Sequence, residues 1–198
     1  MTRERRRGTR ERILNAAELL LRRHGPAKTT VVDVARALDM SHANVYRHFA
    51  SKAELHDALI ERWLRQLSTA LTEIAERPGP AAERLQDWVM TFVVATRRKV
   101  LRDPELFAAY HAATEAAREV VEAHLARGRA QLVRIIRSGI DSGEFAVTSP
   151  GAAAAAVMDA MLRFYHPYHV RETADRPSTR RARRVLGLLI AGLRAGAL

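Results

Sequence analysis

The stretch Thr29-Thr30-Val31-Val32-Asp33-Val34-Ala35-Arg36-Ala37-Leu38-Asp39-Met40-Ser41-His42-Ala43-Asn44-Val45-Tyr46-Arg47-His48-Phe49-Ala50-Ser51-Lys52-Ala53-Glu54-Leu55 decides the fold class. Thr30 and Asp33 have the spacing of a capping box, as do Ser51 and Glu54. In each, a hydroxyl and a carboxylate satisfy the orphan amides of a first helical turn. Ser41 between them is a good N-cap. Helices are therefore predicted to open after Thr30, Ser41 and Ser51. Val31, Val34, Ala35 and Leu38 give the first an apolar face, and Val45 and Phe49, four apart, do so for the second. The opposite side of the second, Ser41 to His48, is polar. Two short helices joined by a three-residue turn, the second with a polar face outward, have the form of a helix-turn-helix, whose second helix enters the major groove of DNA. The residue types suit that groove. Asn44 can pair bidentately with adenine, Arg47 with guanine, and a small Ala43 permits close approach to a thymine methyl.

Outward from this segment the periodicity is helical throughout, with no alternation of the strand type. Upstream, Ile13, Ala16, Ala17 and Leu20 form a stripe that Gly25-Pro26 stops. Downstream, Leu55, Leu59, Trp63, Leu67, Leu71 and Ile74 mark a long amphipathic helix to about Glu76, broken by Pro78-Gly79-Pro80. Leu85, Trp88, Val89, Phe92 and Val93 mark a fifth helix, and Asp103-Pro104 caps a short sixth. A long stripe from Thr114 through Val121, His124, Leu132 and Ile136 ends near Gly143. Ser149-Pro150 opens an alanine-rich helix, and Ser178 opens a last one through Val185, Leu186, Leu189 and Leu193. The expectation is an all-α chain of about nine helices: an N-terminal three-helix helix-turn-helix domain over 1–52, joined by a long helix to a helical bundle within 53–198.

Charge separates along the chain. Of the 198 residues, 33 are Lys or Arg and 22 are Asp or Glu, a formal net charge of +11. Residues 1–52 hold 12 basic and 5 acidic residues, so most of the excess is N-terminal, where a polyanion would be attracted. Arg3 to Arg7 have two readings, a basic arm lying in a minor groove or a solvated tail. The absence of cysteine excludes disulfides, thiolate metal sites and thiol nucleophiles. The arginine-rich start lacks the apolar run of a secretory signal, and no apolar stretch approaches about 18 residues, so a cytoplasmic location without membrane contact is expected.

Tyr46-Arg47-His48-Phe49, followed by Ser51-Lys52 and Leu55, resembles the most diagnostic segment of the tetracycline-repressor family, and the likeness covers about residues 9 to 56. It implies a homodimeric, ligand-responsive repressor of transcription and not an enzyme, with an operator-binding head and a ligand-binding and dimerisation body over 53–198. Position by position, the resemblance implies that Thr30 meets a phosphate at a helix N-terminus. It makes Tyr46 and His48 phosphate-facing and Lys52 the phosphate-binding lysine, sets His42, Ala43, Asn44 and Arg47 against bases or the groove wall, and counts Ser41 among the DNA-binding residues. Val32 stands where some members carry a base-reading arginine, which removes one contact.

For the body, the resemblance implies an internal effector pocket and a four-helix dimer interface built from about 150–166 and 178–195 of each protomer. Small alanines permit close helix approach there, though they equally suit packing inside one protomer. Large inward-facing candidates for the pocket are Trp63, Trp88, Phe92 and Phe107, with Tyr110 and His111 beside them, and Met158, Met161 and Phe164 further on; each has core packing as its other reading. His166-Pro167-Tyr168-His169 lacks a nearby carboxylate pair or cysteine, and the proline should break the helix that would present both rings, so no metal and no cofactor is expected. No phosphate loop, nucleophile elbow or isolated carboxylate pair proposes an enzyme. A non-specific architectural DNA binder is distinguished by steep salt dependence without sequence discrimination.

Overall fold

A computed structural model describes residues 3–26, 29–115, 119–173 and 178–197, apart from the side chains of 3–5, 110, 113–115, 167 and 178. Among the described residues the secondary structure is helical, in the order α1 Arg3–His24, α2 Val31–Ala37, α3 His42–Tyr46, α4 Lys52–Glu76, α5 Ala81–Arg102, α6 Pro104–Glu115, α7 Glu119–Asp141, α8 Pro150–Tyr165, α9 Pro167–Glu172 and α10 Ser178–Ala195. The all-α reading holds. Pro167 does not simply end a helix, however: it occupies the first turn of the additional short helix α9, where its missing amide costs nothing and its fixed φ is already helical. Arg3 to Arg7, read above as an arm or a tail, belong to α1.

The chain divides into two compact units, residues 1–64 with 103–120 and residues 65–102 with 121–198. In the first, Ile13, Leu14, Ala17 and Leu21 of α1 pack with Val31, Val34 and Ala35 of α2, Val45 and Phe49, and Leu55, Ala58 and Leu59 of α4. Leu106 and Ala109 of α6 close the same core. Polar ties reinforce it. Arg62 donates to Asn15 Oδ1 at 2.7 Å and to Glu18, joining α4 to α1. Arg22 pairs with Glu18 at 2.7 Å and with Asp103 at 2.8 Å, joining α1 to the start of α6. The buried Thr29 hydroxyl donates to the carbonyl of Gly25 at 2.9 Å, and the ring of His56 lies 3.2 Å from the carbonyl of Thr29.

In the second unit α5, α8 and α10 pack on one another with α7 and the end of α4, around Leu85, Trp88, Val89, Leu132, Ile135, Ile136, Val157, Met161 and Leu186. Helix α5 follows Pro80, whose side chain has no hydrogen-bonding atom with which to cap it. Instead the Glu144 carboxylate accepts the amides of Ala81 at 2.7 Å and Ala82 at 3.0 Å, and these bonds, the one from Ala82 foremost, hold its pKa below the ordinary glutamate value. Gly139 lets Phe145 fold against α7. A Cβ there would overlap the Phe145 ring and come 2.9 Å from Ala81 Cβ.

Candidate nucleic-acid interface

The helix-turn-helix is assembled by local chemistry. At the start of α2, Thr30 Oγ1 accepts the Asp33 amide at 3.2 Å while Asp33 Oδ2 accepts the Thr30 amide at 3.1 Å, completing the box expected from sequence. The Thr30 hydroxyl also donates to Asp33 at 2.5 Å, and this bond leads the causes that lower the Asp33 pKa. The turn passes through Asp39 at φ 51°, a left-handed conformation in which aspartate is among the tolerated residues. Ser41 then caps α3 by accepting the Asn44 amide at 3.3 Å. Before α4, Ser51 Oγ accepts the Glu54 amide at 3.0 Å, and the Glu54 carboxylate reaches back to the Ala50 amide at 2.6 Å.

This frame fixes which side of α3 is inward. Val45 and Phe49 are fully buried, whereas Ser41, His42, Ala43, Tyr46 and Arg47 are exposed and Asn44, His48, Lys52 and Thr30 are half-buried. Burying the two apolar side chains is worth about 1.5–3 kcal/mol each, enough to orient a five-residue helix that would not persist alone. Tyr46 is 47% exposed, a large ring held in solvent by the burial of its neighbours.

The exposed side chains interact before any ligand arrives. Arg47 Nη2 donates to Asn44 Oδ1 at 2.8 Å, so the two expected base readers form one unit. The Arg10 guanidinium lies 4.9 Å above the Phe49 ring, which fastens α1 beside α3. His48 has its pKa lowered, first by burial and then by the nearby charges of Arg6, Arg47 and Arg10. Arg6, Arg10 and Arg47 thus all lie near enough to act on His48. Arg6 belongs to the Arg3 to Arg7 cluster noted from sequence, but that it and Arg10 act on His48 was not legible in advance, because a basic residue one helix away becomes a neighbour only through packing.

The expected pocket residues are dispersed. Trp63 and His111 are half-buried in the first unit and Phe107 is buried there, while the side chain of Tyr110 lies outside the described residues. Met161 and Phe164 are buried in the core of the second unit. Trp88, Phe92 and Met158 do line a cavity in that unit, together with Ser68, Leu71, His124, Leu125, Gly128 and Gln131. Its volume is about 10 Å³, near the least that holds a single water, which is roughly 10–15 Å³. Trp88 Nε1 donates to Gln131 Oε1 at 2.9 Å, and Gln131 Nε2 donates to Thr72 Oγ1 at 2.7 Å. His124 Nδ1 lies 3.3 Å from Ser68 Oγ, and burial, with a smaller contribution from Arg127, takes its pKa down to about 4. The sequence signal for His124 was its place on the apolar stripe of α7.

The His166 and His169 rings sit 5.7 Å apart, and among the described residues no group of three or more His, Cys, Asp or Glu is placed to hold a metal ion. No described helix is long and apolar enough to cross a membrane. On the outside of the second unit, Leu162 of α8 and Leu188 of α10 are 40% and 75% exposed.

A capped two-helix motif whose second helix turns a polar face to solvent, with Arg47 at its end, has the form of the helix-turn-helix class of DNA-binding proteins. Comparison with known proteins makes the family definite. Residues 13–59 match the model for bacterial regulatory proteins of the tetR family, and residues 81–186 match the tetracyclin repressor-like C-terminal domain. The chain belongs to the tetR family of transcriptional regulators. It is 35% identical over 99 residues to an uncharacterized HTH-type transcriptional regulator of Mycobacterium tuberculosis, covering 50% of this chain and 46% of that protein. The similarity thus spans about half the length of such relatives. Among solved structures, a TetR/AcrR-family regulator from Thermobifida fusca aligns with a TM-score of 0.69 at 20% identity, covering 94% of this chain and 99% of the other. PfmR, a TetR-family regulator from Thermus thermophilus, aligns with a TM-score of 0.61 at 25% identity, covering 91% and 98% respectively.

Proposed function

We propose that the chain is a ligand-responsive repressor that binds a pseudo-palindromic operator as a homodimer and acts in the cytoplasm without catalysis. The observation that carries this reading is the sidedness of α3: Val45 and Phe49 are wholly inside, Ala43, Tyr46 and Arg47 are outside, and arginines lie around the exposed face. In this reading residues 1–52 supply the DNA head. Thr30, Tyr46, His48 and Lys52 hold phosphates, while Ser41, His42, Ala43, Asn44 and Arg47 meet bases and the groove wall.

Residues 53–198 supply sensing and pairing. Dimerisation through α8 and α10 would cover Leu162 and Leu188, whose exposure otherwise leaves apolar surface in water. A two-fold dimer presents two heads to half-sites one helical turn apart. An effector seated in the second unit and favouring a head spacing that no longer fits those half-sites would release the DNA, acting through α4, which is continuous from residue 52 to residue 76.

Selection of bound fragments from genomic DNA, followed by footprinting, tests the reading. It should recover an inverted repeat bound at least about a thousandfold more tightly than random duplex. Equal affinity for all duplexes, with only a steep salt dependence, would mark a non-specific binder instead.

A further inference from the structure

Resting on the DNA-binding reading above, we propose that Arg6 and Arg10 of α1 form a phosphate clamp beside α3, holding the DNA backbone along the edge of the groove that α3 enters. Arg6, Arg10, Ile13, Ala17 and Leu21 recur at steps of four, three, four and four, so they share one face of α1. The last three are buried in the core of the first unit. The stripe therefore runs past that core and ends in two arginines, on the side of α1 that is turned toward the other helices. Both precede Ile13, where the likeness to the tetR family begins.

Packing fixes where this end of the stripe lies. The Arg10 guanidinium stands 4.9 Å from the centre of the Phe49 ring, and Phe49 is wholly buried just past α3. Arg10 is half-buried, and Arg6, one turn nearer the N-terminus, is exposed. Both act on His48, as does Arg47 from the end of α3. Among the described residues neither Arg6 nor Arg10 pairs with a carboxylate. Glu11, next to Arg10 in sequence, instead faces Arg62 of α4 at 3.6 Å. Like charges gathered without an acid among them repel, and an anion seated between them turns that cost into attraction.

Secondary structure decides which part of the duplex these arginines meet. An extended arm would fit a minor groove, which is about 6 Å wide. Arg6 and Arg10 belong to a helix instead, and a helix with its side chains is about 10–12 Å across. It is too wide for that groove, so its arginines reach the phosphates along the edge. The guanidinium fork matches phosphate oxygens two at a time. Residues four apart on a helix have Cβ atoms about 5–6 Å apart, so the pair engages one strand locally.

Fluorescence anisotropy of the full chain on a random duplex and on the selected operator, from about 50 to 200 mM salt, tests the clamp. Arg6→Gln should weaken binding to both duplexes by the same factor and lower the slope of log affinity against log salt by about one, and the double variant with Arg10→Gln by about two. Arg10→Lys keeps the charge and should keep the slope, which separates a charge role from packing on Phe49. Arg12→Gln, exposed on the opposite side of α1, should leave the slope unchanged. Arg6 is exposed, so its single variant carries the test if the double variant does not fold. Unaltered slopes in the Arg6 and Arg10 variants, a slope lost with Arg10→Lys, or an equal loss from Arg12→Gln would overturn the proposal. So would a loss that vanishes when flanking A·T pairs are changed to G·C, which would mark a minor-groove contact. The random duplex needs no operator: a chain that tells no duplex from another would refute the operator reading and leave the clamp standing.

Discussion

The hydrogen bond between Arg47 and Asn44 makes a quantitative prediction about how the head reads sequence. Arg47 Nη2 spends one of its two hydrogens on Asn44 Oδ1 at 2.8 Å, on an exposed surface. A guanidinium carries five donors, so in the proposed complex the remaining Nη hydrogens would be left for O6 and N7 of a guanine while Asn44 holds the plane in place. Arg47→Ala should therefore lose about 1–3 kcal/mol against the preferred site, roughly a fivefold to 150-fold weakening, and the loss should concentrate at one base-pair position. Asn44→Ala leaves the Ser41 cap intact, because that cap uses the backbone amide of residue 44, and should loosen Arg47 as well as removing any contact of its own. The double variant should then cost about 1 kcal/mol less than the sum of the two single losses, a coupling of about fivefold in affinity. Fluorescence anisotropy with the selected operator and with single-base variants of it, at two salt concentrations, measures all four corners of the cycle. Strict additivity, or an Arg47→Ala loss that is equal on every duplex and lowers the salt slope by about one, would show that Arg47 is a phosphate contact and that its bond to Asn44 is incidental.

Three further predictions concern separate parts of the molecule. His48 has its pKa lowered below 6.5 in the free protein by burial and by Arg6, Arg47 and Arg10; a phosphate beside it would raise it, so operator affinity should rise as pH falls through the bound-state value and level off below the free-state one. His48→Gln should flatten that dependence, and an unchanged pH profile would remove His48 from the phosphate contacts. Gly139→Ala should destabilise the second unit by about 1–3 kcal/mol, because overlap with the Phe145 ring outweighs the gain in helix propensity, and the melting temperature should fall by about 2–4 °C per kcal/mol. If the proposed dimer forms through α8 and α10, Leu188→Arg, at a position 75% exposed on α10, should leave the fold intact and give a monomer in analytical ultracentrifugation where the unaltered chain gives a dimer, with the loss of tight operator binding.

Much of the head was legible in order along the chain because its determinants are local. Thr30 with Asp33, Ser41 with Asn44, and Ser51 with Glu54 each act over three residues, and the caps form where the residue types foretold. The burial of Val45 and Phe49, and hence the outward face of α3, followed from a spacing of four. The body was legible only as a set of helices. Periodicity states that Phe107 and Met158 turn a face inward, but it carries no information about which core receives that face; Phe107 lies in the first unit and Met158 in the second.

Charge, capping and period thus determined from sequence alone that the chain is helical, that a helix-turn-helix opens it, and which side of α3 meets solvent. Tertiary structure decided the rest: that α6 completes the core of the first unit, that Arg10 stacks on Phe49, and that Ser68, Trp88 and His124 meet around one cavity. The reason is the range of the forces involved. Capping bonds and helical faces are set within about one turn of chain, whereas side-chain packing joins residues tens of positions apart and is settled only when whole surfaces fit.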